Sequence, residues 1–410
     1  MDGVCGDELR SSLAEFASDV FSSLRRATWR ERSEYYLRCL VLGDKRKRRL
    51  RAARAPSELH EQSLNHFVSV SPWDPTPVRR RLSERFLESV SPDAWVLGQT
   101  TLHKHGGTLA GVARQDTGVS NRMANCQIGV GVHLTSEDAS CPANWRLFLP
   151  ESWDPALADP RSGVVELRAR TGIPEGVGHR RKWQLAVDML DEMAAWGLRP
   201  PVVVPDRPLG GGLELAKTLE SRGFPYVVEI EPAVTACPEA WAGERLAVRD
   251  IVTRGEQIAP QVLGWRQPVR GQDGELRIAQ TRFIFVRVRD PRTGEHDGGF
   301  TAGARWLVVE WPSGRPEPTC YWLSDLPYTT PLSQLARLTK LQWRVEHDRR
   351  FLADDLGLGR YKGRTWAGWH HHVTLVSAAH AFRTLQQLDR SRRLGQDLGN
   401  RRLSLAETRA

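Results

Sequence analysis

A chain of 410 residues has room for two or three domains, and a hydrophobic share of 40% is that of a folded chain, not of a disordered one. Fifty-eight Lys and Arg against 49 Asp and Glu leave a net charge of +9, so an anionic partner is worth seeking and the clustering of the positive charge is what carries information. The six cysteines (Cys5, Cys39, Cys126, Cys141, Cys237, Cys320) form no C-x-x-C pair, which excludes a zinc ribbon or dithiol redox motif and predicts reduced thiols.

Residues 7–42 place Leu9, Leu13, Phe16, Val20 and Leu24, then Tyr36, Leu37 and Leu40, at helical spacing. Two helices with a break near Ala27-Thr28 are predicted. The basic run "DKRKRRLRAAR" follows, with Lys45, Arg46, Lys47, Arg48 and Arg49, and a second one, "PVRRRLSERF", brings Arg79, Arg80 and Arg81. Each reads either as a solvated face or as a set of phosphate contacts, and two clusters in one region favour the contacts. Residues 1–90 are expected to form a helical, basic, DNA-binding module.

Strands dominate from residue 94. "AWVL" is a short buried strand that opens onto Gly98-Gln99, and "NCQIGVGVHLT" and "WRLFL" are two more. The clearest helix has Trp183, Ala186, Val187, Leu190, Met193 and Ala194 on one face and stops at Gly197. "PPVVVPD" has the β-branched run of a strand covered on both faces. A helix from Leu213 to Ser221 and the strand "YVVEI" continue the alternation. Residues 231–328, with "RFIFVRVRD" and "RWLVVEW", read as a β-rich insertion without a strong helix. Helical spacing resumes as one long helix with Leu335, Leu338, Leu341, Val345, Leu352 and Leu356, and residues 386–410 read as a frayed polar tail. No apolar run approaches the roughly 18 residues of a membrane helix, and the acidic start lacks the pattern of a secretory signal. A cytoplasmic protein without a membrane partner is expected.

Among candidate groups, Asp206 ends the "VVV" strand, where open α/β sheets bind ligands, although a strand-end Asp also serves as a cap. Glu346 lies beside an apolar helical stripe and has Arg349 and Arg350 within ion-pair spacing. "PLGGGLEL" lacks the order of a phosphate-binding glycine loop and reads as an ordinary loop. His370, His371 and His372 are consecutive, so they point in different directions and cannot share one ion.

Together, "SPWDPTPVRRRL", "NCQIGVGVHLTSEDASCPANWRLFLPESW", "RRKWQLAVDMLDEMAAWGLRPPVVVPD", "YWLSDLP" and "RTWAGWHHHVTLVSAAHAF" resemble the DDE-type transposases of bacterial insertion sequences, in order, from about residue 30 to residue 385. The resemblance implies an α/β, RNase H-like core with a β-rich insertion and an N-terminal helical module. Its core is expected in residues 91–230 and 329–385, with the insertion between them. It also implies two Asp and one Glu holding Mg²⁺, since hard dications need carboxylate oxygens. Asp206 and Glu346 match the second and third acids, as catalytic residues and metal ligands. Gln99 falls at the first, and an amide brings one neutral oxygen and no charge. Thr339, Gln342 and Ala353 stand where the family tends to carry Tyr, Arg and Lys, and Asp93 and Asp116 are the nearby carboxylates that could replace the first acid. The expectation is a transposase-family protein bound to double-stranded DNA, with a homodimer as an allowed assembly and impaired strand cutting. An active transposase, and an interaction protein without nucleic acid, remain the alternatives.

Overall fold

A computed structural model describes residues 2–42, 61–118, 122–240, 245–254, 261–270, 276–289 and 303–407. In chain order come helices α1 (Asp2–Val20), α2 (Ala27–Leu42), α3 (Glu61–Ser69) and α4 (Pro75–Leu87), then strands β1 (Ala94–His103), β2 (Ala113–Asp116), β3 (Met123–Thr135) and β4 (Ser140–Leu147). Helices α5 (Val164–Thr171) and α6 (Lys182–Ala195) precede β5 (Val203–Pro205), α7 (Gly212–Ser221), β6 (Val227–Glu229), β7 (Thr235–Pro238), β8 (Leu246–Ala247) and α8 (Val248–Thr253). Strands β9 (Gln261–Arg270), β10 (Leu276–Arg289), β11 (Arg305–Pro312) and β12 (Cys320–Ser324) lead to helices α9 (Leu332–Lys340), α10 (Gln342–Asp354) and α11 (Trp366–Glu407). The class is therefore mixed α/β with a helical N-terminal region, as expected from the sequence.

Two compact units share this chain. Residues 1–92, 99–196 and 344–410 make one, residues 93–98 and 197–343 the other, and the division falls inside β1 between Gly98 and Gln99. In the first unit, β3 pairs antiparallel with β2 through Met123–Cys126 and with β4 through Gly129–Thr135. Gly129 and Gly131 are there because the sheet is covered by indoles. A Cβ on Gly129 would lie 3.0 Å from the Trp369 ring, and one on Gly131 3.0 Å from Trp145. Helix α11 supplies Trp369, Val373, Val376 and Phe382 to the core over β4 and against α1 to α4. Helix α4 starts sharply because Asp74 accepts from the Thr76 N–H at 2.9 Å and Pro75 suits the first helical turn. The predicted face of α6 is the buried one, with Trp183, Ala186, Val187, Leu190 and Met193 inside, and Gly197 takes a φ of 85° just past its end.

The second unit sets β5 parallel to the first half of β1, with Trp95, Val96 and Leu97 opposite Val203, Val204 and Pro205, and a parallel bridge joins Val203 to Tyr226. All six are buried, as the uninterrupted apolar runs required. Its larger sheet runs β6-β12-β11-β10-β7-β8, with β9 beside β10. The Phe283, Phe285, Trp306 and Trp322 rings fill one part of its core.

Two expectations need correction. The stripe from Leu335 to Leu356 is two helices, because the Leu341 N–H bonds to Leu338 instead of Arg337 and tightens the last turn of α9. Apolar spacing is unchanged across that step, so periodicity does not register it. The C-terminal segment read as a frayed tail is helical, since α11 runs on to Glu407, and near its start the Asp389–Arg393 ion pair at i,i+4 spacing, 2.8 Å, supports the helix.

Candidate functional site

Gln99 begins the half of β1 that belongs to the first unit, and it is only 2% exposed. Both ends of its amide are engaged. Nε2 donates to the Thr117 carbonyl at 3.2 Å, and Oε1 accepts from Lys182 Nζ at 2.7 Å. Lys182 opens α6, where a positive charge opposes the helix dipole. Burial holds its pKa below the ordinary lysine value, while Asp116 and Cys126 act to raise it. The ammonium also lies 5.8 Å from the centroid of the Phe148 ring.

Asp206 is in the second unit, half-buried at the end of β5, with its N–H donating to the Leu97 carbonyl at 2.7 Å. Glu229, at the end of β6, pairs with Arg207 at 3.3 Å. Its pKa is raised, first by burial, with Asp206, Glu231 and Glu310 adding repulsion. Sequence reasoning missed Glu229, although it ends the "YVVEI" strand as Asp206 ends "VVVPD". The turn that follows Asp206 is a loop as expected, with Gly210 and Gly211 at φ of 71° and 93°.

Glu346 lies on the solvent side of α10 with a 57% exposed side chain, paired with Arg349 at 2.7 Å. Of the positions near Glu346 in sequence that depart from the family pattern, Thr339 is buried and turned back on the Ala336 carbonyl, Gln342 donates to the Pro205 carbonyl at 2.7 Å, and Ala353 is half-buried. The candidate substitutes are engaged as well. Asp93 pairs with Arg337 at 3.3 Å, and Asp116 accepts from the Gly118 N–H at 2.9 Å. Among the described residues, no group of three His, Cys, Asp or Glu is placed to hold a metal ion. The amide at position 99 has its oxygen taken by an ammonium, so the residues present do not fit a dication there.

The basic candidates divide. Lys45, Arg46, Lys47, Arg48 and Arg49 lie outside the described residues. Arg79 is 3% exposed, donating to Thr374 Oγ1 at 2.8 Å, Asn144 Oδ1 at 3.2 Å and the Trp145 and His370 carbonyls at 2.9 and 3.2 Å. Burial lowers its pKa to about 9. Its guanidinium is a core group in this conformation, not one that reaches a phosphate. Arg81 is held by Asp19 at 2.7 Å and Glu88 at 2.8 Å, while Arg80 pairs with Glu84 and keeps half its side chain in solvent. The three histidines are core residues with separate partners, as their spacing demanded. His370 faces Arg79, His371 sits between the Val68 and Trp73 carbonyls, and His372 accepts from the Tyr36 hydroxyl at 3.1 Å. Cys39, Cys126, Cys141, Cys237 and Cys320 are free thiols.

Sequence reasoning also missed a cavity of about 290 Å³ in the second unit, lined by Arg287, Trp306, Tyr328 and Glu239 among others. Trp306 and Tyr328 stack at 5.6 Å and the Arg287 guanidinium lies 4.8 Å from the Trp306 ring.

These elements describe an α/β nuclease-type chain with an acidic strand end and one amide where a charge is expected. A family profile described as DDE superfamily endonuclease matches residues 19–249, more than half of the sequence, and the chain belongs to that family. Its members generally use divalent metal ions, and DNA is the partner such a domain suggests. No curated protein matches the chain. Among the described residues no helix is long and apolar enough to cross a membrane.

Proposed function

We propose that this chain is a transposase-family protein that binds double-stranded DNA and is impaired in cutting it. The observation that carries the reading is the engagement of Gln99 by Lys182 and Thr117. A two-metal nuclease needs charged oxygens around its ions to activate water and stabilise the leaving oxygen, and a buried amide already hydrogen-bonded at both ends supplies neither charge nor a spare oxygen. Asp206 and Glu346 are the remaining acids of the set, and Mg²⁺ is the ion an intact set would hold. What the chain keeps is DNA attachment, assigned to the basic residues 45–49 and to the exposed Arg80.

Pure protein incubated with a supercoiled plasmid and with linear end sequences, in Mg²⁺ or Mn²⁺, is expected to cut at background. Metal-dependent nicking that Asp206→Ala abolishes overturns this. Attachment is tested separately. Duplex affinity should fall with salt, at a log–log slope of about −0.9 per phosphate neutralised. Replacing Arg46, Lys47, Arg48 and Arg49 by Ala should weaken it and flatten the slope. Unchanged affinity and slope in that variant would remove the assignment.

A further inference from the structure

The Lys182–Gln99 pair does not look accidental. Lysine at the first position of an α-helix meets the positive end of the macrodipole, and here the side chain is also half-buried. Both effects disfavour the charge where it stands. What favours it is the Gln99 amide oxygen at 2.7 Å, the nearby Asp116 carboxylate and the Phe148 ring. All of these groups belong to the first unit. Gln99 is held in one orientation by its second bond, to the Thr117 carbonyl, and that carbonyl also accepts from the Thr101 hydroxyl at 2.9 Å. The amide is therefore fixed with its oxygen facing the ammonium, because the opposite flip would set an acceptor against the carbonyl and a donor against the lysine.

We propose that Lys182 supplies, from within the chain, the positive charge that a divalent cation supplies beside the first acidic residue in the metal-dependent members of the family, with Gln99 as its neutral oxygen ligand. The inference rests on the reading that places Gln99 at the first acidic position. One point follows that the loss of a carboxylate alone does not imply. Restoring the acid is not enough, because an introduced carboxylate meets an ammonium at hydrogen-bond distance and forms an ion pair. A cation site reappears only when the lysine goes too.

The test uses Mn²⁺ as the probe, its binding to full-length protein followed by electron paramagnetic resonance, with fold checked by circular dichroism. Wild type and Gln99→Asp are expected to bind weakly and alike, and the double variant Gln99→Asp/Lys182→Met at least about tenfold more tightly, a difference of about 1.4 kcal/mol. If Gln99→Asp alone binds as tightly as the double variant, or if the double variant gains nothing, Lys182 does not stand in the cation's place. Should the double variant fail to fold, the acylation rate of Lys182, read by mass spectrometry, decides. It should be slow in wild type and faster in Gln99→Ala, and equal rates overturn the proposal. Failure here is separable from failure of the proposed function, which turns on metal-dependent nicking by the wild-type chain.

Discussion

Glu346 and Asp348 are two residues apart on α10 and live in opposite environments. Glu346 faces solvent and pairs with Arg349, whereas Asp348 is 4% exposed and accepts from the Ser140 hydroxyl and from Arg344 Nε at 3.1 Å, with His380 Nε2 at 3.9 Å. Two helical steps turn a side chain by about 200°, so one of the pair points inward when the other points out. Burial acts to raise the Asp348 pKa, but the His380 contact, the Ser140 bond and Arg344 outweigh it and hold the carboxyl well below the ordinary carboxylate range.

Asp348 is thus the acid of α10 on which folding depends. Asp348→Ala leaves Arg344 and Ser140 without their acceptor and should cost about 3–5 kcal/mol, the range for breaking a buried pair. Glu346→Gln, at an exposed site, should stay within about 0.5 kcal/mol. Urea unfolding of the two variants checks this, and equal midpoints would refute it.

Arg79 and Arg80 should separate in the same way. Arg79→Ala removes buried hydrogen bonds to Thr374, Asn144 and the Trp145 carbonyl at once and leaves a void where the guanidinium packed, and a loss of about 3 kcal/mol is expected. Lysine cannot reproduce the fork, so Arg79→Lys should recover little of it. Arg80→Ala should leave the unfolding midpoint in place. Comparable losses for Arg79→Ala and Arg80→Ala would show that Arg79 is not a core group.

Acid should destabilise the first unit through His372. Its ring accepts from Tyr36 at Nδ1 and faces the Gly357 carbonyl with Nε2 at 3.2 Å, which the neutral Nε2–H tautomer satisfies. Burial, with Lys104 adding repulsion, pushes its pKa down from 6.5 to about 4. The unfolded chain then binds the extra proton first. The contribution is whole above about pH 6.5 and is lost as pH falls toward 4, at up to about 1.4 kcal/mol per pH unit. His372→Gln should flatten the stability profile in that window, and an unchanged slope would count against the assignment.

Packing predicts a cost at the glycines of β3. Gly131→Ala puts a methyl 3.0 Å from the Trp145 ring, which already donates through Nε1 to Ser377 Oγ at 2.9 Å and cannot retreat without breaking that bond. Overpacking of this kind costs about 1–3 kcal/mol. Gly107→Ala, where nothing lies within 4 Å of the new methyl, serves as the control, and equal melting temperatures for the two variants would contradict the packing argument.

The buried strands and the α6 helix were legible because periodicity and β-branching report burial directly. "VVVPD" and "AWVL" each read as a buried strand, and they pair side by side. The break at Leu341 and the continuation of α11 were not legible, since the first preserves apolar spacing and the second runs through a polar segment without an apolar stripe. Within the candidate site, Gln99 was conspicuous only against the family pattern. Its partner Lys182 was not, because a contact between residues 83 apart leaves no trace in local sequence. Arg79 shows the converse, for composition marks a basic cluster without saying which member turns inward.

Helix α11 closes the core of the first unit from the far end of the chain: His372 meets Tyr36 across 336 residues. At about 5–20 residues per second of synthesis, the N-terminal helices leave the ribosome roughly 20–70 s before the helix they pack against exists. During that interval the faces of α1, α2 and α4 that α11 covers lack that cover, so the nascent chain should depend on chaperones until α11 emerges. A protein stopped before Trp366 should accumulate as an aggregate, whatever remains of its chemistry.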